Sequence, residues 1–443
     1  MPDLTETARA PRLACADLLA AGAGLTLVAL AFAVPRIASE QWRLSLYAAA
    51  APIFGSFVPH IGWGTVPAIA LAAAVITTGP ALAARLSPPR LWTLSYLTAL
   101  GWTLALALVD GWERGFAGRF ADVHEYPHEV PGVTDIGAML RGFSGRILDF
   151  QPDSWTTHVS GHPPGALLFF VLLDRAGLGG PVWAAWACVL IGCTAVPAVA
   201  VALAALGAGE RARAALPFLV LAPAALWIAV SADAMFAAVA AWAVALLAIA
   251  TRPGRAPVAL GAGLLFGLAI FLNYGLILMA IPAVAVLIAG RTARPLLPAL
   301  AGALAVVAAF ALAGFWWLDG YHLVVERYYQ GIAATRPFGY WWWGNLAATV
   351  CAVGLATVAA LPRVAARLRA ADPAAILVVA GLCAVLAADV SGLSKAETER
   401  IWLPFDVWLL AAPAFLPRAA DRIWLTVQAV GTLLLVHLVL TNW

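Results

Sequence analysis

Apolar residues run through this chain in blocks of about twenty, the length an α-helix needs to cross the hydrocarbon core of a bilayer. Short polar or arginine-bearing connections separate the blocks. Those at 14–34, 63–85, 91–111, 181–207, 215–231, 234–251, 256–272, 275–290, 295–316, 343–361, 373–390, 401–417 and 423–440 predict about thirteen transmembrane helices. The expected fold is all-α, one polytopic integral membrane domain over 1–443, because a lone segment in lipid must satisfy its backbone internally. One stretch resists the scheme. Leu44 to Pro59 is apolar but has only about sixteen residues, with Pro52, Gly55 and Pro59 among them, too few for an ordinary span. It reads as a re-entrant or interfacial piece, or as a short fourteenth span.

Between Trp112 and Gly165 the pattern breaks. This polar interruption carries Asp122, His124, Glu125, Tyr126, His128, Glu129, Asp135, Asp149, Asp153, Trp155 and His158, and it closes in Ser160-Gly161-His162-Pro163-Pro164-Gly165. Carboxylates and imidazoles are expensive in lipid, so a membrane protein that gathers them in one loop is expected to do its chemistry there. The plainer alternative is that water permits polarity in any long loop.

Charge supplies the orientation. Arg85 and Arg90, Arg211 and Arg213, Arg252 and Arg255, Arg291 and Arg294, Arg363, Arg367 and Arg369, then Arg418 and Arg422, all fall in connections on one side of the expected spans. The positive-inside rule makes that side cytoplasmic and places 112–165, 317–342 and 391–400 outside.

The composition, 63% hydrophobic and 11% charged, excludes an ordinary soluble domain, where charged residues approach a quarter. A net charge of +3 spread over scattered arginines gives no nucleic-acid footprint. The five cysteines lie in apolar runs and read as buried structural thiols. The start, with Arg9 and Arg12 before an apolar stretch, has the look of a signal peptide but no clear cleavage site, and is read as a retained first span. Alanine, glycine and arginine dominate, and Lys395 is the only lysine; the bias suggests a GC-rich bacterial genome.

Within the loop, Glu125 and Glu129 are four apart and share a face if the piece is helical, although Pro127 interrupts it. A carboxylate beside an aromatic and a histidine suits a general base for a hydroxyl; the alternative for each is a solvated charge. Pro163-Pro164 begins a helix well, which sets His162 at an N-terminal rim that attracts anions, or merely caps it.

These motifs resemble the lipid-sugar-dependent membrane glycosyltransferases of the GT-C superfamily, above all the protein O-mannosyltransferases and the lipid A aminoarabinose transferases. In that branch the first large external loop opens on an Asp-Glu-x-x-Tyr type motif, and Lys-Pro-Pro or His-Pro-Pro follows about thirty residues on. His162-Pro163-Pro164 matches the second element. Glu125-Tyr126 with Glu129, or Thr134-Asp135, stands in for the first. Ser231-Ala232-Asp233 and Glu399-Arg400-Ile401-Trp402-Leu403-Pro404 have the form of two later motifs of the branch, so the likeness spreads over 112–405.

What the resemblance implies is a GT-C-like fold whose external loop carries short interfacial helices. The expected activity is transfer of a sugar from a polyprenyl-phosphate donor to a cell-envelope glycan, glycolipid or protein, at the outer side of a bacterial cytoplasmic membrane. Glu125, Glu129 or Asp135 would be the catalytic carboxylate, and His162, Arg400 and Lys395 would meet the donor phosphate. His158, Asp233, Trp155 and Tyr126 would face the acceptor or brace the loop, and Asp233 with His158 is the candidate pair for a divalent metal. Two other classes stay open. A transporter or flippase would carry ionisable residues at mid-bilayer and repeat symmetry; a non-catalytic envelope scaffold would tolerate alanine at every loop carboxylate.

Overall fold

The computed structural model of the protein describes residues 14–229 and 231–442. Arg9 and Arg12 of the signal-peptide-like start fall outside them. Among the described residues, six helices are long and apolar enough to cross a membrane: Cys15–Ile37, Thr65–Arg85, Pro181–Ala205, Asp233–Ala250, Pro373–Val390 and Arg418–Leu438. Two helix pairs qualify only as bent units, Leu296–Leu312 with Trp317–Gln330 at 76° and Phe338–Val353 with Leu355–Leu368 at 101°. The protein is thus a helical, multi-pass membrane protein with six such helices, or eight if each bent pair is one span.

This corrects the expected thirteen. An apolar run is not always an unbroken helix of spanning length. Ala256–Leu272, Tyr274–Ala289 and Leu403–Phe415 stop short of that length. Gly209–Val220 is only 12 residues, with Pro217 inside. Pro88–Ala107 has the length, but Arg90, Thr93, Ser95, Thr98 and Thr103 interrupt its apolar surface. The 101° bend falls at Gly354, where φ is +79°, a conformation that costs glycine nothing and other residues a steric clash.

The Leu44–Pro59 stretch is neither a span nor a re-entrant helix. It runs through turns into the strand Gly55–Phe57, which pairs antiparallel with Val439–Thr441. This small ladder is the one departure from an all-helical fold among the described residues.

Side-chain contacts sort the connections to two ends of the bundle. At one end Arg213 donates to the carbonyls of Ala83 and Leu86 at 2.7 and 2.8 Å. Arg211 there reaches Ala414 and Asp372, and Arg418 reaches Glu210. Arg363 forks onto Asp17 at 2.7 and 2.9 Å, which brings the start of the first helix close to the 363–369 arginines. At the other end the 112–165 loop meets 317–330 through Gln330 and the Asp149 backbone, the 40–57 segment meets 391–400, and the 439–442 segment meets Arg119. Asp233–Ala250 is the most enclosed of these six helices, with 78% of its apolar 18-residue stretch buried against 22% for that of Thr65–Arg85. Its alanine-rich surface lets the neighbouring 195–205 and 256–272 helices come close, and it aims Asp233 at the loop end from the middle of the bundle.

Candidate active site

The 112–165 loop is a packed cap rather than a solvated strand of chain. Short helical turns at Trp112–Gly115, Ala117–Ala121, Tyr126–Glu129, Ile136–Gly142 and Thr157–Ser160 are pinned by Phe116, Phe120, Tyr126, Phe143, Ile147, Trp155 and Val159, all buried. Trp155 donates its indole N–H to Phe143 at 3.0 Å and carries Arg146 over its ring at 3.4 Å. The closing motif explains itself at Gly165: a Cβ there would lie 2.5 Å from the carbonyl oxygen of Phe271, so only glycine lets the helix Pro164–Arg175 rest on the end of Ala256–Leu272.

Glu125 does not share a helical face with Glu129. It precedes the short turn Tyr126–Glu129 and points into the protein, 3% exposed, with its Oε1 3.6 Å from His158 Nδ1. Burial pushes its carboxyl up to about 8. The charge of Arg400 opposes the rise, Asp233 and Asp122 add to it, and Arg119 opposes it again. Oε2 has no hydrogen-bond partner among the described residues. Burial also holds His158 and His162 below the usual imidazole range, with Arg400 acting the same way on both. His162 Nδ1 lies 2.7 Å from the carbonyl of His158 and must be the donor, which leaves Nε2 with its lone pair. The ring stands between Tyr126 and Phe236, with centroids 5.9 and 5.5 Å away. Tyr126 is stacked on Phe170, and its phenol is held far above its ordinary range by burial.

Asp233 lies at the first turn of its helix, 2% exposed. Its Oδ2 accepts from Ser231 Oγ at 2.7 Å and from Arg400 Nη1 at 2.5 Å. Arg400 Nη2 donates to Glu397 Oε2 at 2.9 Å, and Glu397 Oε1 lies 3.3 Å from Arg336 Nη1. A chain of alternating charge, Asp233–Arg400–Glu397–Arg336, therefore crosses the loop end. Burial works to lower the Arg400 guanidinium, but Asp233 and Glu397 outweigh it and hold the group charged. Next to it Glu399 is fully buried and accepts from the backbone N–H of Phe54 at 2.8 Å, with its carboxyl pushed up to about 7 by burial.

The structure thus brings together Glu125, Tyr126, His158, His162, Asp233 and Arg400 and leaves the other candidates outside the cluster. Glu129 accepts from the Thr156 N–H at 2.9 Å and faces Arg146 at 3.6 Å. Asp135 is exposed and caps the helix Ile136–Gly142 through Ala138 N–H. Lys395 donates to Ala333 and lies over the ring of Tyr329, in the 317–342 segment. The Phe54–Glu399 contact joins positions 345 apart, and no local pattern signals it. Among the described residues no group of three or more His, Cys, Asp or Glu is placed to hold a metal ion. Of the Asp233 carboxylate, the candidate ligand, Oδ2 is engaged by a guanidinium and a hydroxyl, and Oδ1 has no hydrogen-bond partner among the described residues.

Chemically, the cluster offers a carboxyl poised near 8, a neutral imidazole with a defined lone pair and a permanently charged guanidinium, in a largely dry setting. Strongly perturbed groups are found clustered more often at functional sites than elsewhere, and structural ion-pair networks produce them too. Comparison of the chain with protein-family models, with curated proteins and with solved structures finds no match.

Proposed function

We propose that the protein transfers a glycosyl group from a polyprenyl-phosphate donor to a hydroxyl of a cell-envelope acceptor, at the outer face of a bacterial cytoplasmic membrane, as the GT-C enzymes resembled by its motifs do. The observation that carries the reading is the meeting of Glu125, His162, Asp233 and Arg400 at the end of the bundle away from the arginine-bearing connections. A site on that side needs a donor already carried across on lipid, because nucleotide sugars are cytosolic.

In the reaction the acceptor oxygen bonds to the anomeric carbon while the bond from that carbon to the phosphate oxygen breaks. The electron pair leaves with the lipid phosphate, and the hydroxyl proton passes to Glu125. A carboxyl that titrates near 8 is a stronger base than an ordinary glutamate, at the cost of being mostly protonated at neutral pH. Arg400 supplies fixed positive charge in a site of low dielectric, where such charge acts strongly on a developing anion. His162 offers Nε2 to a phosphate oxygen once it takes up a proton. Tyr126 and His158 hold Glu125 and His162 in register.

The test is consumption of labelled polyprenyl-phosphate sugars by the purified protein. Wild type should release lipid phosphate, and Glu125→Gln should be slower by about 10²–10⁴. Glu129→Gln should keep most of its turnover. Failure of every donor, or equal rates in wild type and Glu125→Gln, overturns the reading.

A further inference from the structure

Arg114 and Arg119 form a second cationic feature of the loop end. Arg114 Nη2 and Arg119 Nη2 donate to the same oxygen, the carbonyl of Thr441, at 3.0 and 2.9 Å, and Arg119 Nη1 donates to the carbonyl of Asn442. Two guanidiniums therefore lie side by side. Among the described residues no carboxylate lies within ion-pair distance of either, and the acidic groups nearby are engaged elsewhere. Asp110 pairs with His60 at 2.7 Å, Asp122 with His124 at 2.7 Å, and Glu125 turns to His158. Arg119 Nε is buried and has no acceptor among the described residues. Backbone carbonyls satisfy hydrogen bonds but do not offset two adjacent positive charges. Burial first and the charge of Arg114 next push Arg119 down to about 10, and the more distant charges of Asp110, Asp122 and Glu125 offset them only in part.

The surroundings indicate what that anion is attached to. The pair lies where Thr65–Arg85 and Pro88–Ala107 meet, with Gly62 and Gly64 against the Ala105–Val109 backbone, and where Arg418–Leu438 ends. Trp63 and Ile61 are more than 80% exposed there, and Trp112 is 39% exposed. Exposed indoles at the ends of spans mark the headgroup level of a bilayer. Arginine forks match phosphate oxygens.

We propose that Arg114 and Arg119 form a binding site for the phosphate of a membrane lipid, at the headgroup level and beside the Glu125 cluster. The site does not depend on the transfer reading, since any lipid whose phosphate charge is not balanced by a cationic group of its own headgroup can supply the anion.

The test uses the full chain in the Glu125→Gln background, so that turnover plays no part. The protein is reconstituted in vesicles of phosphatidylcholine with phosphatidylglycerol, extracted, and the retained lipid counted by native mass spectrometry. Phosphatidylglycerol should be retained in preference to phosphatidylcholine, and Arg114→Gln with Arg119→Gln should reduce its retention at least tenfold. Arg294→Gln, an exposed arginine in a connection remote in sequence, should leave it unchanged. A second arm adds inorganic phosphate to protein in phosphatidylcholine alone and follows thermal unfolding. An upward shift that needs both arginines identifies free phosphate as a ligand of the site; no shift, with phosphatidylglycerol retained, assigns the site to lipid. Unchanged retention in the double variant, with no phosphate response, overturns the proposal. So does a double variant that unfolds earlier yet retains phosphatidylglycerol as wild type does, because the pair then only braces the Thr441 backbone.

Discussion

Replacement of Glu125 by glutamine should change how stability depends on pH as well as activity. In the folded protein this carboxyl titrates near 8, against 4.5 for the free side chain. Between those values the folded chain holds a proton that the unfolded chain has lost, so unfolding releases a proton and stability falls as pH rises. The contribution is fully present below about 4.5 and is lost as pH passes 8. Over that window it amounts to on the order of 5 kcal/mol, an upper bound for a single group. Glutamine keeps the size and polarity and has nothing to titrate, so the variant should lose less stability between pH 5 and pH 8.5. Glu399, held near 7 by its burial, acts with the same sign in both proteins, and the two histidines act in both as well. The difference between the two proteins is therefore the quantity to read. Thermal unfolding in detergent at four or five pH values suffices. Parallel losses in wild type and Glu125→Gln would show that Glu125 is ionised or solvated in the folded state, and the burial argument would fail with the proposed base.

Asp233→Asn removes one of two carboxylates from a buried guanidinium and should cost about 3–5 kcal/mol; it should also lower the pH midpoint of Glu125, because Asp233 helps to raise it, and an unchanged pH–rate profile would contradict that. Gly165→Ala sets a methyl 2.5 Å from a backbone oxygen and should destabilise by about 1–3 kcal/mol, while Gly132→Ala, with open space around it, should cost under about 1 kcal/mol. Asp153→Cys, on an exposed turn, should react with an impermeant thiol reagent in intact cells once the native cysteines are removed; labelling only after lysis would reverse the proposed orientation and with it the lipid-linked donor.

Much of the membrane character and part of the cluster can be read along the chain. Apolar runs announce helices because hydrocarbon tolerates little else, and arginine-bearing connections such as Arg211 and Arg418 do meet at one end. The span count was not legible, since hydropathy senses composition and is blind to the turn at Gly354 or the early stop of Gly209–Val220. His162, Asp233 and Arg400 each stand at a polar-to-apolar boundary, and boundaries are visible in one dimension. Which glutamate faces inward was not visible. Glu125 and Glu129 have near-identical neighbours in sequence, and the choice is made by partners at Thr156 and His158, fixed only when the loop folds. Asp233, 167 positions from Arg400, is a tertiary partner with no local pattern, whereas Glu397, three positions before Arg400, can be read along the chain.

The ion pair between Asp233 and Arg400 joins positions 167 residues apart, and a ribosome adds about 5–20 residues per second. Asp233 is therefore made roughly ten to thirty seconds before the cation it is buried with. During that interval Ser231, two positions away, is the partner already at hand. The helix that begins at Asp233 is the most enclosed of the six long apolar helices of the finished bundle, yet it must enter the membrane while its first residue has no counter-charge. A nascent chain interrupted before residue 400 leaves a carboxylate that must stay in water or carry a proton, a chemical difference between unfinished and complete copies.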